Sequence, residues 1–218
     1  MTRPPETKHR AGFSLMELLT VIAIIAVLAA IAVGLTAAAR NARTNSRGEA
    51  ELRQIQTAIE SYKADRGVYP PDHVLPAGSP HRVDPVINQL YYELRGMEVV
   101  QNGFRCKGMS DVLSPDQIRA VFNRSGFLNA SSDPSEPART YLDPKASVVR
   151  RVTVNGVEVE LLATPFPWSA GNPEPAPIPG TQVNPWRYVS TGPTNNVGGF
   201  DLWAEVYVGK EKRVFKNW

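Results

Sequence analysis

Between Leu18 and Ala39 the chain runs for 22 residues without a charge, most of them Leu, Ile, Val or Ala. About 20 helical residues cross the ~30 Å hydrocarbon core of a bilayer, so this stretch is long enough to span one. Widened to Phe13–Ala39, the block holds 22 hydrophobic residues in 27, and Glu17 is its one charged residue. The whole chain, 218 residues at 42% hydrophobic and 21% charged, looks like an ordinary soluble protein. Without the block the hydrophobic share drops to about 37%, which suits a modest globular head. Composition therefore excludes a disordered chain, a collagen-like repeat and a multi-span membrane protein. It leaves room for a single anchor.

The flanks decide what kind of anchor this is. A cleavable secretory signal has an apolar stretch of about 7–15 residues followed by a small-residue cut site. Here the apolar run is longer, and helix-favouring sequence continues beyond Ala39, so a retained helix is expected. The leader Met1–Gly12 carries Arg3, Lys8 and Arg10 against Glu6, which assigns it to the cytoplasm. Arg40, Arg43 and Arg47 form a basic band at the far end, read as lipid headgroup contact. Glu17 is the odd residue, because a carboxylate at mid-bilayer costs roughly 2.5–3.5 kcal/mol and by default marks a function with a partner. A cut between Gly12 and Phe13 would supply that partner: an α-amino group on Phe13, one helical turn from Glu17.

The run Ala11-Gly12-Phe13-Ser14-Leu15-Met16-Glu17-Leu18 resembles the prepilin signature of type IV pilins and type II secretion pseudopilins. The resemblance implies cleavage after Gly12 by a prepilin peptidase on the cytoplasmic side and N-methylation of Phe13. Glu17 would pair with the Phe13 amine of a neighbouring subunit during fibre assembly. Burying the two charges together costs far less than burying either alone. The partners so implied are the peptidase, other pilin or pseudopilin subunits, an inner-membrane assembly platform and membrane lipid.

No proline or turn cluster interrupts residues 13–65, so one long helix is expected, with Gly34 and Gly48 each weakening it by ~1 kcal/mol. Past Ala39 the pattern becomes one-sided. Leu52, Ile55, Ile59 and Tyr62 make an apolar stripe, while Arg47/Glu51 and Glu49/Arg53 pair at i, i+4 on the other side. Four segments follow: a leader (1–12), a transmembrane or fibre-core helix (13–39), an amphipathic helix (40–66) and a periplasmic head (67–218). Gly67 and Pro70 end the helix, and the Gly-x-Tyr-Pro stretch is again similar to pseudopilins. In the head, short helices are expected over Val86–Leu94 and from Ser114-Pro115 to Gly126. Ser131–Pro144 reads as a polar connection. Val148–Leu162 reads as a hairpin turning at Asn155-Gly156, and Pro165–Pro185, with seven prolines, as an extended loop. Trp186–Ser190, Phe200–Val208 and Arg213–Trp218 read as a terminal meander. The fold class is α+β: a long helix, half transmembrane and half amphipathic, packed on a small antiparallel sheet in the manner of a pilin.

The stretch from Asn184 to Ser190, followed by Phe200–Trp203, is similar to the C-terminal strands of the major type II secretion pseudopilin. Many members of that family bind calcium just after these strands. Here Asp201, Asn195 and Asn196 stand alone where calcium takes about six to eight oxygens, so the ligand count weighs against a calcium site. No catalytic residue and no cofactor is expected. His73 and His81, with Asp72 and Asp84, read as part of a solvated loop rather than a metal site. Cys106 has no disulfide partner and reads as a semi-buried small residue. That lack of a disulfide leans the reading to pseudopilin over true pilin. Lys210, Lys212, Arg213 and Lys216 form a basic cluster, but strand-edge lysines commonly guard against edge pairing. A net charge of +3 is too small to argue for nucleic acid. The chain therefore reads as a non-enzymatic fibre subunit of the inner membrane. Two alternatives remain: a competence-type pilin binding DNA, and an uncleaved single-pass anchor for an unrelated head.

Overall fold

The computed structural model describes residues 14–208 and 210–218, with the side chains of residues 31–38 and 40 excepted. The chain divides into two units, Met1–Ser46 and Arg47–Trp218. A single 52-residue helix, α1 (Leu15–Arg66), contributes to both. In the first unit every described side chain from Leu15 to Ala30 is exposed, Leu and Ile included. Among the described residues, no helix is long and apolar enough to cross a membrane. The expected span 13–39 includes Phe13 and the side chains of 31–38, which lie outside the described residues.

In the second unit α1 becomes the spine of a core. Leu52, Ile55, Ile59 and Tyr62 are all buried, as their shared face requires. Arg47 Nε lies 3.3 Å from Glu51 and Arg53 Nη2 3.9 Å from Glu49, the expected i, i+4 pairs. Gly48 has a positive role that helix propensity conceals. The Phe215 ring sits so close that a Cβ at position 48 would lie 2.4 Å from it. The helix ends where Gly67 takes φ 76° and its N–H donates to the Lys63 carbonyl at 2.8 Å, a glycine stop.

The head holds four small sheets, where a single one was expected. Strands β1 (His73–Val74) and β2 (Val83–Asp84) form the first. The second has four strands in the order β5-β4-β3-β6: β3 (Met97–Val100), β4 (Gly103–Cys106), β5 (Val112–Leu113) and β6 (Ala130–Ser131). Its β3–β6 pairing is parallel, so the fold is not purely antiparallel. The expected hairpin is present as β7 (Val149–Val154) and β8 (Val157–Leu162). Asn155 and Gly156 take φ 51° and 78° at its turn, the positive values that a type I′ turn needs. The terminal meander is β9 (Arg187–Val189), β10 (Asp201–Val208) and β11 (Glu211–Lys216), antiparallel in the order β11-β10-β9.

Two helix boundaries differ from expectation, each for a local reason. The first short helix, α2 (Leu90–Arg95), begins four residues late. Asp84 Oδ1 takes the N–H groups of Val86 and Ile87 at 2.8 and 3.2 Å and holds them in a turn. Helix α3 (Pro115–Phe122) starts as expected, with Ser114 and Gln117 forming a reciprocal capping box. It ends before Gly126 because Asn123 adopts the left-handed conformation, φ 54°, and donates its side-chain amide to the Val74 carbonyl at 3.0 Å.

The head is tied together by a buried carboxylate, Glu93 of α2, which is fully inaccessible. It accepts from Tyr62 Oη at 2.8 Å and from the N–H groups of Leu128 and Asn129, each at 2.9 Å. Burial pushes its carboxyl above the usual carboxylate range, against the pull of those donors. The Asn129 side-chain amide then donates to the Glu93 carbonyl at 2.7 Å, and Arg66 donates to Asn129 Oδ1 at 2.6 Å. The end of α1, α2 and the segment leading into β6 thus share one polar knot.

Candidate functional site: the start of the N-terminal helix

The residues singled out by the sequence converge on the first turn of α1. Gly12 and Phe13 lie outside the described residues. Glu17 lies within them, and its side chain is occupied. Oε2 accepts from the Ser14 backbone N–H at 2.9 Å and from Ser14 Oγ at 3.0 Å. Ser14 Oγ in turn accepts from the Glu17 N–H at 3.2 Å. This reciprocal exchange is a capping box, with Ser14 at the N-cap and Glu17 three residues into the helix. The Leu18 N–H closes the turn on the Ser14 carbonyl at 3.2 Å. The Ser-x-x-Glu spacing is itself a helix-start signature, so Ser14 belongs to the site alongside Glu17. Both bonds fall on Glu17 Oε2, the oxygen that caps the helix.

The remaining candidates are structural. Asp72 and His73 do not sit in a solvated loop, as expected from their neighbourhood; Asp72 is fully buried and His73 is 8% exposed. Asp72 Oδ2 accepts the N–H groups of Ser190 and Thr191 at 2.8 and 2.7 Å, and Oδ1 accepts from Thr191 Oγ1 at 2.8 Å. The His73 Nδ1–H donates to the Ile87 carbonyl at 2.8 Å. The Asp72 bonds fasten the turn after α1 to the residues just past β9. His81 is exposed and takes no part in them. Among the described residues no group of three or more His, Cys, Asp or Glu is placed to hold a metal.

Asp201, the residue expected nearest a calcium position, is enclosed by nitrogen donors. Its carboxylate accepts from the backbone N–H groups of Thr194, Asn195 and Asn196 and from the Asn195 side-chain amide, at 2.8–3.0 Å. The loop is wrapped around a carboxylate, and the oxygens a cation would need already serve as acceptors. Cys106 is buried at 3% exposure, and burial raises its thiol, which favours the neutral form. In the basic C-terminal cluster, Lys212 Nζ lies 2.9 Å from Glu174 and 3.0 Å from Glu205. Arg213 reaches Glu211 at 3.8 Å, and Lys216 sits 5.1 Å over the Trp218 ring. Two of the four cations in the cluster, Lys212 and Arg213, are thus paired with carboxylates within the head.

These observations define an α+β chain whose first helix starts at a built cap, presents an exposed apolar surface, and continues into the spine of a head. Residues 7–33 match the family model described as the prokaryotic N-terminal methylation motif, so the chain carries the prepilin-type leader signature of type IV pilins and pseudopilins. No curated protein and no solved structure matches the chain. The motif supports a type IV pilin-like or pseudopilin subunit, and it implies processing by prepilin peptidase and assembly with other such subunits.

Proposed function

We propose that this protein is a non-enzymatic structural subunit of a type II secretion pseudopilus or a type IV pilus-like fibre. It waits in the inner membrane with its leader in the cytoplasm and its head in the periplasm. Prepilin peptidase cuts after Gly12, Phe13 is N-methylated, and the subunit enters the fibre through its apolar helix. The observation that carries the reading is the methylation-motif match, because residues 7–33 contain Gly12, Phe13, Glu17 and most of the apolar run together. The exposed side chains of Leu15–Leu28 support it. Taking each of that stretch's Leu, Ile, Val and Met side chains fully out of water, into lipid or a fibre core, is worth about 1.5–3 kcal/mol. Glu17 fits the same reading. With Oε2 engaged by Ser14, Oε1 would receive the Phe13 ammonium of an adjacent subunit.

The pseudopilin form is preferred because the chain's one cysteine, Cys106, is buried and has no partner for the loop-closing disulfide that many pilins carry. The test is mass spectrometry of the native N-terminus, where a chain beginning at N-methylated Phe13 is expected. A mature chain beginning at Met1, or near Ala39, would overturn the proposal. Glu17→Val should leave membrane insertion intact and impair incorporation into fibres. Normal incorporation would remove the role assigned to the carboxylate.

A further inference from the structure

A cleft of about 350 Å³ opens between the β4–β5 edge of the four-stranded sheet and the β7–β8 hairpin. Its lining sets three sulfur side chains beside Phe104, Leu113 and Val159. Met97 and Cys106 are cross-strand partners in β3 and β4, both nearly inaccessible, and Met109 stands at the turn beyond them. Methionine sulfur makes favourable contacts with aromatic rings and adapts to their shape. The rim is charged and unbalanced. Arg151 reaches Asp111 at 2.6 Å, Glu160 at 3.0 Å and Glu158 at 3.7 Å, one guanidinium shared among three carboxylates. The mouth therefore keeps a net charge of −2. Gln117, also on the lining, has its side-chain carbonyl oxygen taken by the Ser114 N–H at 2.8 Å.

From this juxtaposition we propose that the cleft is a docking site for a partner protein's segment that inserts an aromatic or aliphatic side chain beside a lysine or arginine. The apolar side chain enters over the methionines, and the cation lies against the carboxylates at the mouth. A pocket of this size that sets charged groups beside apolar side chains can orient a ligand through both, and unlike charges at the rim select the partner. The site lies wholly in the head, so the proposal holds whether or not the chain enters a fibre.

The chain's four methionines provide the assay. In the full-length protein in detergent micelles, with methyl-labelled methionine, Met97 and Met109 report on the cleft, and Met1 and Met16 report on the N-terminal region. The probes are acetyl-Phe-Lys-amide and acetyl-Phe-Glu-amide, equal in their aromatic group and opposite in charge. The lysine peptide is expected to shift Met97 and Met109 saturably, at least about tenfold more tightly than the glutamate peptide. In the double variant Asp111→Asn/Glu158→Gln this preference should fall below about twofold. Both side chains are largely exposed, at 62% and 67%, so the fold should not depend on their charge. Equal response to the two peptides, shifts confined to Met16 from micelle partition, or an unchanged preference in the variant would each overturn the proposal.

Discussion

Replacing Gly48 by alanine tests how α1 is seated in the head, because two effects of known size oppose each other there. In an open helix interior the change stabilises by about 1 kcal/mol, since glycine loses more backbone entropy on folding. In this protein the new methyl would lie 2.4, 2.4 and 2.7 Å from three carbons of the Phe215 ring. Carbon atoms rest at about 3.5–4.0 Å, so the ring would have to retreat by roughly 1 Å. Phe215 is 4% exposed, and its backbone is paired opposite Ala204 in the β10–β11 ladder. Relief comes either by straining the core, at about 1–3 kcal/mol, or by turning the ring outward, at about 1.5–3 kcal/mol. After the propensity gain, a net loss of about 1 kcal/mol is expected, or roughly 2–4 °C in melting temperature for a chain of this size. Thermal and urea melts of the full chain in detergent, followed by near-ultraviolet circular dichroism, would measure it. Phe215→Leu in the Gly48→Ala background should cost at least about 1 kcal/mol less than in the wild type. A stabilised Gly48→Ala, or strictly additive variants, would refute the packing argument.

Other expectations follow from the buried carboxylates. Burial holds Glu93 above its ordinary value of 4.5 in the folded head, so the folded state binds that proton more tightly than the unfolded chain. Its contribution to stability is full below 4.5 and is lost as pH rises through the raised value. Urea melts from pH 4.5 upward should therefore show falling stability, and Glu93→Gln should flatten the fall. A residual slope is expected from Glu51, which burial also raises. An unchanged slope in the Glu93 variant would remove Glu93 as a source. Asp201→Ala strips the acceptor from four N–H groups and should cost at least about 2 kcal/mol. Hydrogen exchange should then lose protection at residues 194–196, and retained protection there would show that the carboxylate does not hold the loop. Calcium near 1 mM should leave the wild-type melting temperature unchanged, because the Asp201 oxygens already accept from nitrogen. A clear upward shift would mean that the loop rearranges to bind it.

Parts of this fold are legible because their signals are local. The stripe from Leu52 to Tyr62 repeats at the helical period, and Asn155-Gly156 names its own turn between Val-rich arms. The four-stranded sheet is legible only in part. Its β3 and β4, four residues each, form a tight hairpin that sets Glu98 opposite Arg105, but the parallel pairing of β3 with β6 joins Met97 to Ala130, neighbours only after folding. Asp72 fails for the same reason, since its partners at Ser190 and Thr191 lie 118 and 119 residues away. Residues in a stretch dense in Pro, Asp and His look solvated until a distant strand arrives to cover them. At the candidate site, Glu17 stands out because a charge interrupts an apolar run. Ser14 is inconspicuous alone and gains meaning through its spacing from Glu17.

The cap on α1 bears on what trimming would do to the molecule. A cut after Gly12 would leave Ser14 as the second residue of the mature chain and Glu17 as the fifth, so both halves of the cap stay with the subunit. The hydrogen bonds of the first turn would be the same on either side of the reaction. Trimming would remove three basic residues and one acidic one and add a terminal amine, leaving 21 Lys+Arg against 20 Asp+Glu. Maturation would then act as a change of charge on a finished helix end, requiring no local refolding before the subunit is handed on.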